Sequence, residues 1–152
     1  MEKIKTGLAA FGMSGQIFHA PFISTNPAFC LTAITERNKN LSKERYPSAR
    51  IVRSFEELVA LDELELVVIN TPDSTHYEYT RKALEAGKNV LCEKAFTVNA
   101  DQARKLFALA KEKNRLITEA IWTRYMPSRK MIDDIISSGV IGEVTAVTAN
   151  LN

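Results

Sequence analysis

Two short stretches hold the residues whose types and spacing could do chemistry. The first is Ala10-Phe-Gly12-Met-Ser-Gly15, at the end of the apolar run Ile4–Ala10. Two glycines three positions apart, after a strand and before a helix, can form a bend that cradles a phosphate. Gly12 would let a ligand approach the backbone, and Gly15 would let the helix pack closely on the strand. The amides of Met13, Ser14 and Gly15 would then face the ligand from a helix N-terminus, where partial positive charge gathers. Ala10 replaces the first glycine of the pattern and fits while its φ stays negative.

The second stretch is Glu36-Arg37, at the end of the run Leu31–Thr35. An acid placed about twenty residues beyond a glycine turn can meet the ribose hydroxyls of a bound dinucleotide. Arg37 could stack on adenine or meet a 2′-phosphate. Two anions repel, so Glu36 favours NAD, while Arg37 keeps NADP open. Taken singly, a solvated charged turn and a glycine-rich connecting loop account for these residues too. Their order along the chain is what favours the nucleotide.

The elements that must position them alternate. Candidate strands are Ile4–Ala10, Leu31–Thr35, Leu66–Asn70, Asn89–Cys92 and Leu116–Ala120, with Arg50–Arg53 as a short edge strand. Nearly continuous apolar runs imply a parallel sheet covered on both faces. Between them Ser54-Phe-Glu-Glu57 reads as a capping box, and Asp73, Ser74 or Thr75 caps a helix reaching Ala86 before Gly87. Asn99 caps a helix from Ala100 to Lys113 whose Ala103, Leu106, Phe107 and Ala110 form one buried stripe. Pro127 opens a last helix, closed by Gly139. Right-handed crossovers then give an α/β fold, a doubly wound parallel sheet. After Gly142, EVTAVTANLN alternates with period two, as a strand with one wet face would.

The 152 residues suit one ordinary domain, and the formal net charge of +2 is spread without a basic stripe. Neither nucleic acid nor a membrane is therefore an expected partner, and the short apolar run after MEKIKTG points to the cytoplasm. Cys30 and Cys92, each within an apolar run, read as buried free thiols, and no metal is expected.

Four segments taken together resemble the Gfo/Idh/MocA family, the glucose-fructose oxidoreductase and inositol dehydrogenase group: AAFGMSGQIFHAPF, the TER turn, VVINTPDSTHYEYTRKALEAGKNVLCEKAFTV and LITEAIWTRYMPSRKMIDDIISSGVIGEV. The resemblance implies an NAD(P)-binding Rossmann domain over 1–142, with 143–152 beginning a second α/β domain that the chain lacks. That domain would shape the substrate pocket and a homo-oligomer interface. The cofactor is implied to lie against Phe11, Gly12, Met13, Ser14 and Gly15, near Glu36 and Arg37, and along Thr71, Pro72 and His76. It would end near Glu93, Lys94, Trp122 and Arg124. Lys94 takes the catalytic or nicotinamide-positioning role, since a lysine there can hold a developing alkoxide or pass its proton.

Ala95 stands where the family has proline, so a trans Lys94–Ala95 bond is expected, because a cis bond outside proline costs about 2.5–4 kcal/mol. The implied function is an NAD(P)-dependent dehydrogenase. It would move hydride between nicotinamide and a carbinol carbon of a sugar, cyclitol or related alcohol, with this chain binding cofactor without turnover. A non-catalytic dinucleotide-sensing module is the alternative. A flavodoxin-like fold that only mimics the glycine turn is another.

Overall fold

The apolar runs become strands because helices cover both faces of one sheet. In the computed structural model, which describes residues 2–150, six strands run parallel. They are β1 (Ile4–Leu8), β2 (Phe29–Thr35), β3 (Arg50–Val52), β4 (Leu66–Ile69), β5 (Asn89–Cys92) and β6 (Ile117–Glu119), in the order β3-β2-β1-β4-β5-β6. The order reverses between β1 and β4, and a crevice opens where neighbouring crossovers leave in opposite directions.

Period two divides the core. Val67 and Ile69 face one layer, with Phe55, Leu58, Ala83, Leu84, Leu106 and Ala110. Val68, between them, faces the other, with Leu8, Phe11, Ala20, Leu31 and Ile34. The first layer is built by α3 (Phe55–Val59), α4 (His76–Glu85) and α5 (Ala100–Glu112). The second layer contains a π-helical turn, Gly15–His19, that runs into α1 (Ala20–Thr25), and α2 (Ser42–Arg45) follows β2. Alternation that would expose one face of an isolated strand buries both faces here.

Helix ends follow local chemistry. Ser54 Oγ accepts from Glu57 N at 3.1 Å, and Glu57 Oε2 accepts in return from Arg53 N at 2.9 Å, one residue ahead of the usual reciprocal partner. Asn99 Oδ1 accepts from Gln102 N, and Gly87 (φ +74°) and Asn114 (φ +52°) take the left-handed position after α4 and α5. None of Asp73, Ser74 and Thr75 caps α4 through its side chain; a short 3-10 turn, Asp73–Thr75, leads into it instead.

Three expectations are corrected. Cys30 is exposed, because burial on the face it shares with Thr32 and Ile34 rises only toward the end of β2; Cys92 is buried. Desolvation pushes the Cys92 thiol up to about 12. Phe107 is half exposed at the rim of the α5 stripe and leans on Phe96. Residues 143–150 form no strand, since no neighbour among the described residues pairs with them; the end of that expected strand, Leu151 and Asn152, lies outside the described residues.

The chain divides into two compact units, 1–120 and 121–152. The second unit holds a 3-10 turn, Trp122–Tyr125, and α6 (Pro127–Ser137), followed by Gly139 at φ +72°. Its apolar residues Met131, Ile132, Ile135 and Ile136 are exposed. No described helix is long and apolar enough to cross a membrane.

Candidate functional site

At the carboxyl end of β1 the chain turns through Ala10–Gly15 under restraint from β4. Asn70 Oδ1 accepts from Ala10 N at 3.0 Å, and Asn70 Nδ2 donates to Ala10 O at 2.9 Å. This two-way amide clasp makes up for the first glycine, because Ala10 is held without a positive φ. A Cβ on Gly15 would lie 2.5 Å from Ala10 O and 2.9 Å from Asn70 Nδ2, so helix and strand meet too closely for any side chain there. A Cβ on Gly12 would meet nothing within 4 Å; the space before it is open. The first intrahelical bond runs from Gln16 N to Gly12 O, so the amides of Gly12, Met13, Ser14 and Gly15 find no partner among the described residues. Phe11 buries its ring against Tyr46 and offers the site only backbone; Met13 is exposed.

A cleft of about 590 Å³ extends from this turn across the ends of β1 and β2, bordered by Phe11, Gly12, Arg37, Arg53, Thr71 and Pro72. Glu36 sits at its far side, but its carboxylate is used elsewhere. Oε2 accepts from Leu41 N at 2.9 Å, and Oε1 accepts from Ser42 N at 2.9 Å and Ser42 Oγ at 2.5 Å. Glu36 is 6 % exposed. Burial opposes its charge, yet the Ser42 hydroxyl, the two amides and the nearby Arg53 outweigh burial and hold its carboxyl below the ordinary range. Arg37 and Lys39 remain exposed on the cleft, and no described residue accepts from the amides of residues 37–40.

At the other end, past β5, Glu93 joins the phosphate turn to the lysine loop. Its Oε1 accepts from Ser14 Oγ at 3.0 Å and lies 2.8 Å from His19 Nε2, while Oε2 accepts from Lys94 N at 3.2 Å. Burial raises the Glu93 carboxyl, and His19 and Ser14 overcome it, leaving a net lowering. The Lys94 ammonium, exposed, forms no ion pair among the described residues. The Lys94–Ala95 bond is cis, not trans; the flanking groups are engaged, Ala95 O by His76 Nδ1 at 2.7 Å and Phe96 N by Glu119 Oε1 at 2.8 Å.

His76 does not face the cleft. It is 1 % exposed, with its ring nitrogens 2.7 Å from Ala95 O and 2.8 Å from Thr71 O, so it ties the loop after β4 to the loop after β5. Thr71 and Pro72 do border the cleft, with Thr71 Oγ1 2.7 Å from Thr75 Oγ1. Trp122 and Arg124 belong to the second unit, where Trp122 is largely exposed. The first unit therefore brings together the glycine turn, Glu36, Arg37, Thr71, Pro72, Glu93 and Lys94 at the carboxyl ends of the strands. Asn70, His19 and Arg53 complete this arrangement through partners distant in the sequence, and no pattern marks Arg53 in advance. Asn70, alone at the end of an apolar strand, carried a hint: a buried amide needs partners.

A glycine turn with free amides at a sheet's switch point defines a dinucleotide-binding domain. The model of the oxidoreductase family with an NAD-binding Rossmann fold, Gfo/Idh/MocA, matches residues 4–121. The chain belongs to this family and is its NAD(P)-binding domain. It is 50 % identical over 104 residues to D-xylose 1-dehydrogenase (NADP(+)) of Hypocrea jecorina, covering 68 % of this chain and 27 % of that protein. Against scyllo-inositol 2-dehydrogenase (NADP(+)) IolW of Bacillus subtilis it is 29 % identical, covering 100 % of this chain and 42 % of the relative. The crystal structure of KijD10, a 3-ketoreductase of Actinomadura kijaniata in complex with NADP and TDP-benzene, superposes with a TM-score of 0.89 at 30 % identity, over 93 % of this chain and 44 % of that one. The chain thus spans less than half the length of these relatives.

Proposed function

We propose that this chain is the NADP-binding half of an oxidoreductase acting on a carbinol carbon of a sugar, cyclitol or related alcohol. The observation that carries the choice of NADP is the inward turn of the Glu36 carboxylate. With that anion consumed by Leu41 and Ser42, the ribose end of the cleft presents Arg37, Lys39 and unpaired amides, which suit a 2′-phosphate better than a bare diol. The expectation from sequence alone leaned to NAD, and the geometry favours the reverse. Two relatives carry NADP(+) in their names, and KijD10 was crystallised with NADP.

The residues at the glycine turn and along the cleft fit the cofactor. Gly12–Gly15 would take the diphosphate on free amides, and Thr71 and Pro72 would border its path. When bound, the nicotinamide supplies the hydride chemistry. Lys94, on a loop fixed by His76 and Glu119, would hold the substrate oxygen and carry its proton. Glu93 is occupied with His19 and Ser14, which leaves the ammonium of Lys94 free for that task. The relatives extend well beyond the length this chain spans, and the substrate pocket would draw on that further part.

Calorimetric titration with NADPH and NADH tests the reading. NADPH should bind at least about tenfold more tightly, the worth of one well-placed charge-assisted contact. Equal affinities, or tighter NADH, would contradict it.

A further inference from the structure

Arg53 follows β3 and reaches back across the tip of β2. Its Nη1 donates to Glu36 O at 2.9 Å and Lys39 O at 2.7 Å, and its Nη2 donates to Asn40 Oδ1 at 2.7 Å. Its own backbone is anchored by the first turn of α3, through Arg53 N to Glu57 Oε2 at 2.9 Å. From the other side the Glu36 carboxylate holds Leu41 N and Ser42 N. One loop, residues 36–42, is thus gripped by a guanidinium at its carbonyls and a carboxylate at its amides.

The grip has a direction. In a trans peptide C=O and N–H point opposite ways, so carbonyls of Glu36 and Lys39 turned onto Arg53 leave the amides of Arg37 and Asn40 facing away from it. Arg53 also neutralises two oxygens that would repel a phosphate near the loop. Its planar fork spreads these three bonds over two nitrogens held at a fixed separation, which the single nitrogen of a lysine cannot copy.

Resting on the NADP reading, we propose that Arg53 is a positioning residue for cofactor selectivity. It fixes the 37–40 loop so that its amides and Arg37 stand ready for a phosphate on the ribose 2′ position.

The test measures the affinities of the protein for NADPH and NADH in wild type, Arg53→Met and Arg53→Lys, with the melting temperature recorded for each. Both variants should lose about tenfold in NADPH affinity while NADH affinity stays within about twofold. Asn40→Ala, which removes one of the three acceptors and leaves Arg53 intact, should give a smaller loss in the same direction, and it keeps the test alive if Arg53→Met fails to fold. Wild-type NADPH affinity in Arg53→Lys would show that charge alone matters and would overturn the proposal, as would equal weakening of both cofactors in all three variants. A wild type that already prefers NADH would overturn the NADP reading, and the proposal with it.

Discussion

Gly12 and Gly15 occupy one turn for opposite reasons. Gly15 is forced by the fold, because a Cβ there would press on Ala10 O, a backbone atom held by Asn70. Gly12 has open space around it, so its bareness matters only to a ligand. Gly15→Ala should therefore destabilise the protein by about 1–3 kcal/mol, as overpacking does. Gly12→Ala should melt within a degree or two of wild type, on the order of the surface effect, yet bind NADPH at least about tenfold more weakly. Thermal melting and calorimetry on the two variants check this; an unstable Gly12→Ala with normal binding would reverse the assignment. The glycines and Arg37 are marked in the sequence by type and spacing, whereas Lys94 is marked only by the family resemblance. The roles of Glu36 and His76 were not legible there, because each depends on which backbone groups of a distant loop reach the side chain. No spacing rule says that Glu36 will find Leu41 N and Ser42 N, or that His76 will lie between Thr71 O and Ala95 O.

The strands were legible to within two residues at most ends, because an apolar run buried on both faces can only be a central strand. β5, Asn89–Cys92, falls where its sequence puts it, and β6 shrinks to Ile117–Glu119 at the edge of the sheet. The alternating run after Gly142 misleads because periodicity records what a segment can do with a partner, and none of the described residues serves as one. The loop from β2 to α2 contributes to the acid dependence of stability, as does Glu93. Its Glu36 carboxyl is held below its ordinary 4.5, so its contribution to stability is complete above that value and lost as pH falls through the lower folded one. Glu36→Gln should cost about 1–3 kcal/mol at pH 7, the price of a broken buried charge-assisted bond set. It should also flatten the fall of melting temperature below about pH 4.5, where an unfolded glutamate takes up its proton. A variant curve that stays parallel to wild type through the acid range would show that the Glu36 carboxyl is not the group responsible.

Over the whole molecule, the sheet order decides where a ligand can go. With β1 and β4 adjacent and their crossovers departing to opposite faces, the bend after β1 opens into a crevice. Asn70 at the end of β4 holds that bend, and Glu93 at the end of β5 ties it to the lysine loop. Cofactor seat and catalytic candidate are therefore parts of one hydrogen-bonded rim. The family match makes the rim part of an NAD(P)-binding domain; the inward Glu36 and the bare 37–40 amides are the observations on which the proposal of NADP rests. The most direct measurement is the amide NMR spectrum of the isotopically labelled protein, titrated with NADPH and separately with NADH. Both cofactors should shift the amides of Gly12–Gly15, and only NADPH should also shift those of residues 37–40. NADPH that leaves the amides of residues 37–40 unmoved at saturation, or NADH that moves them as far, would contradict the account.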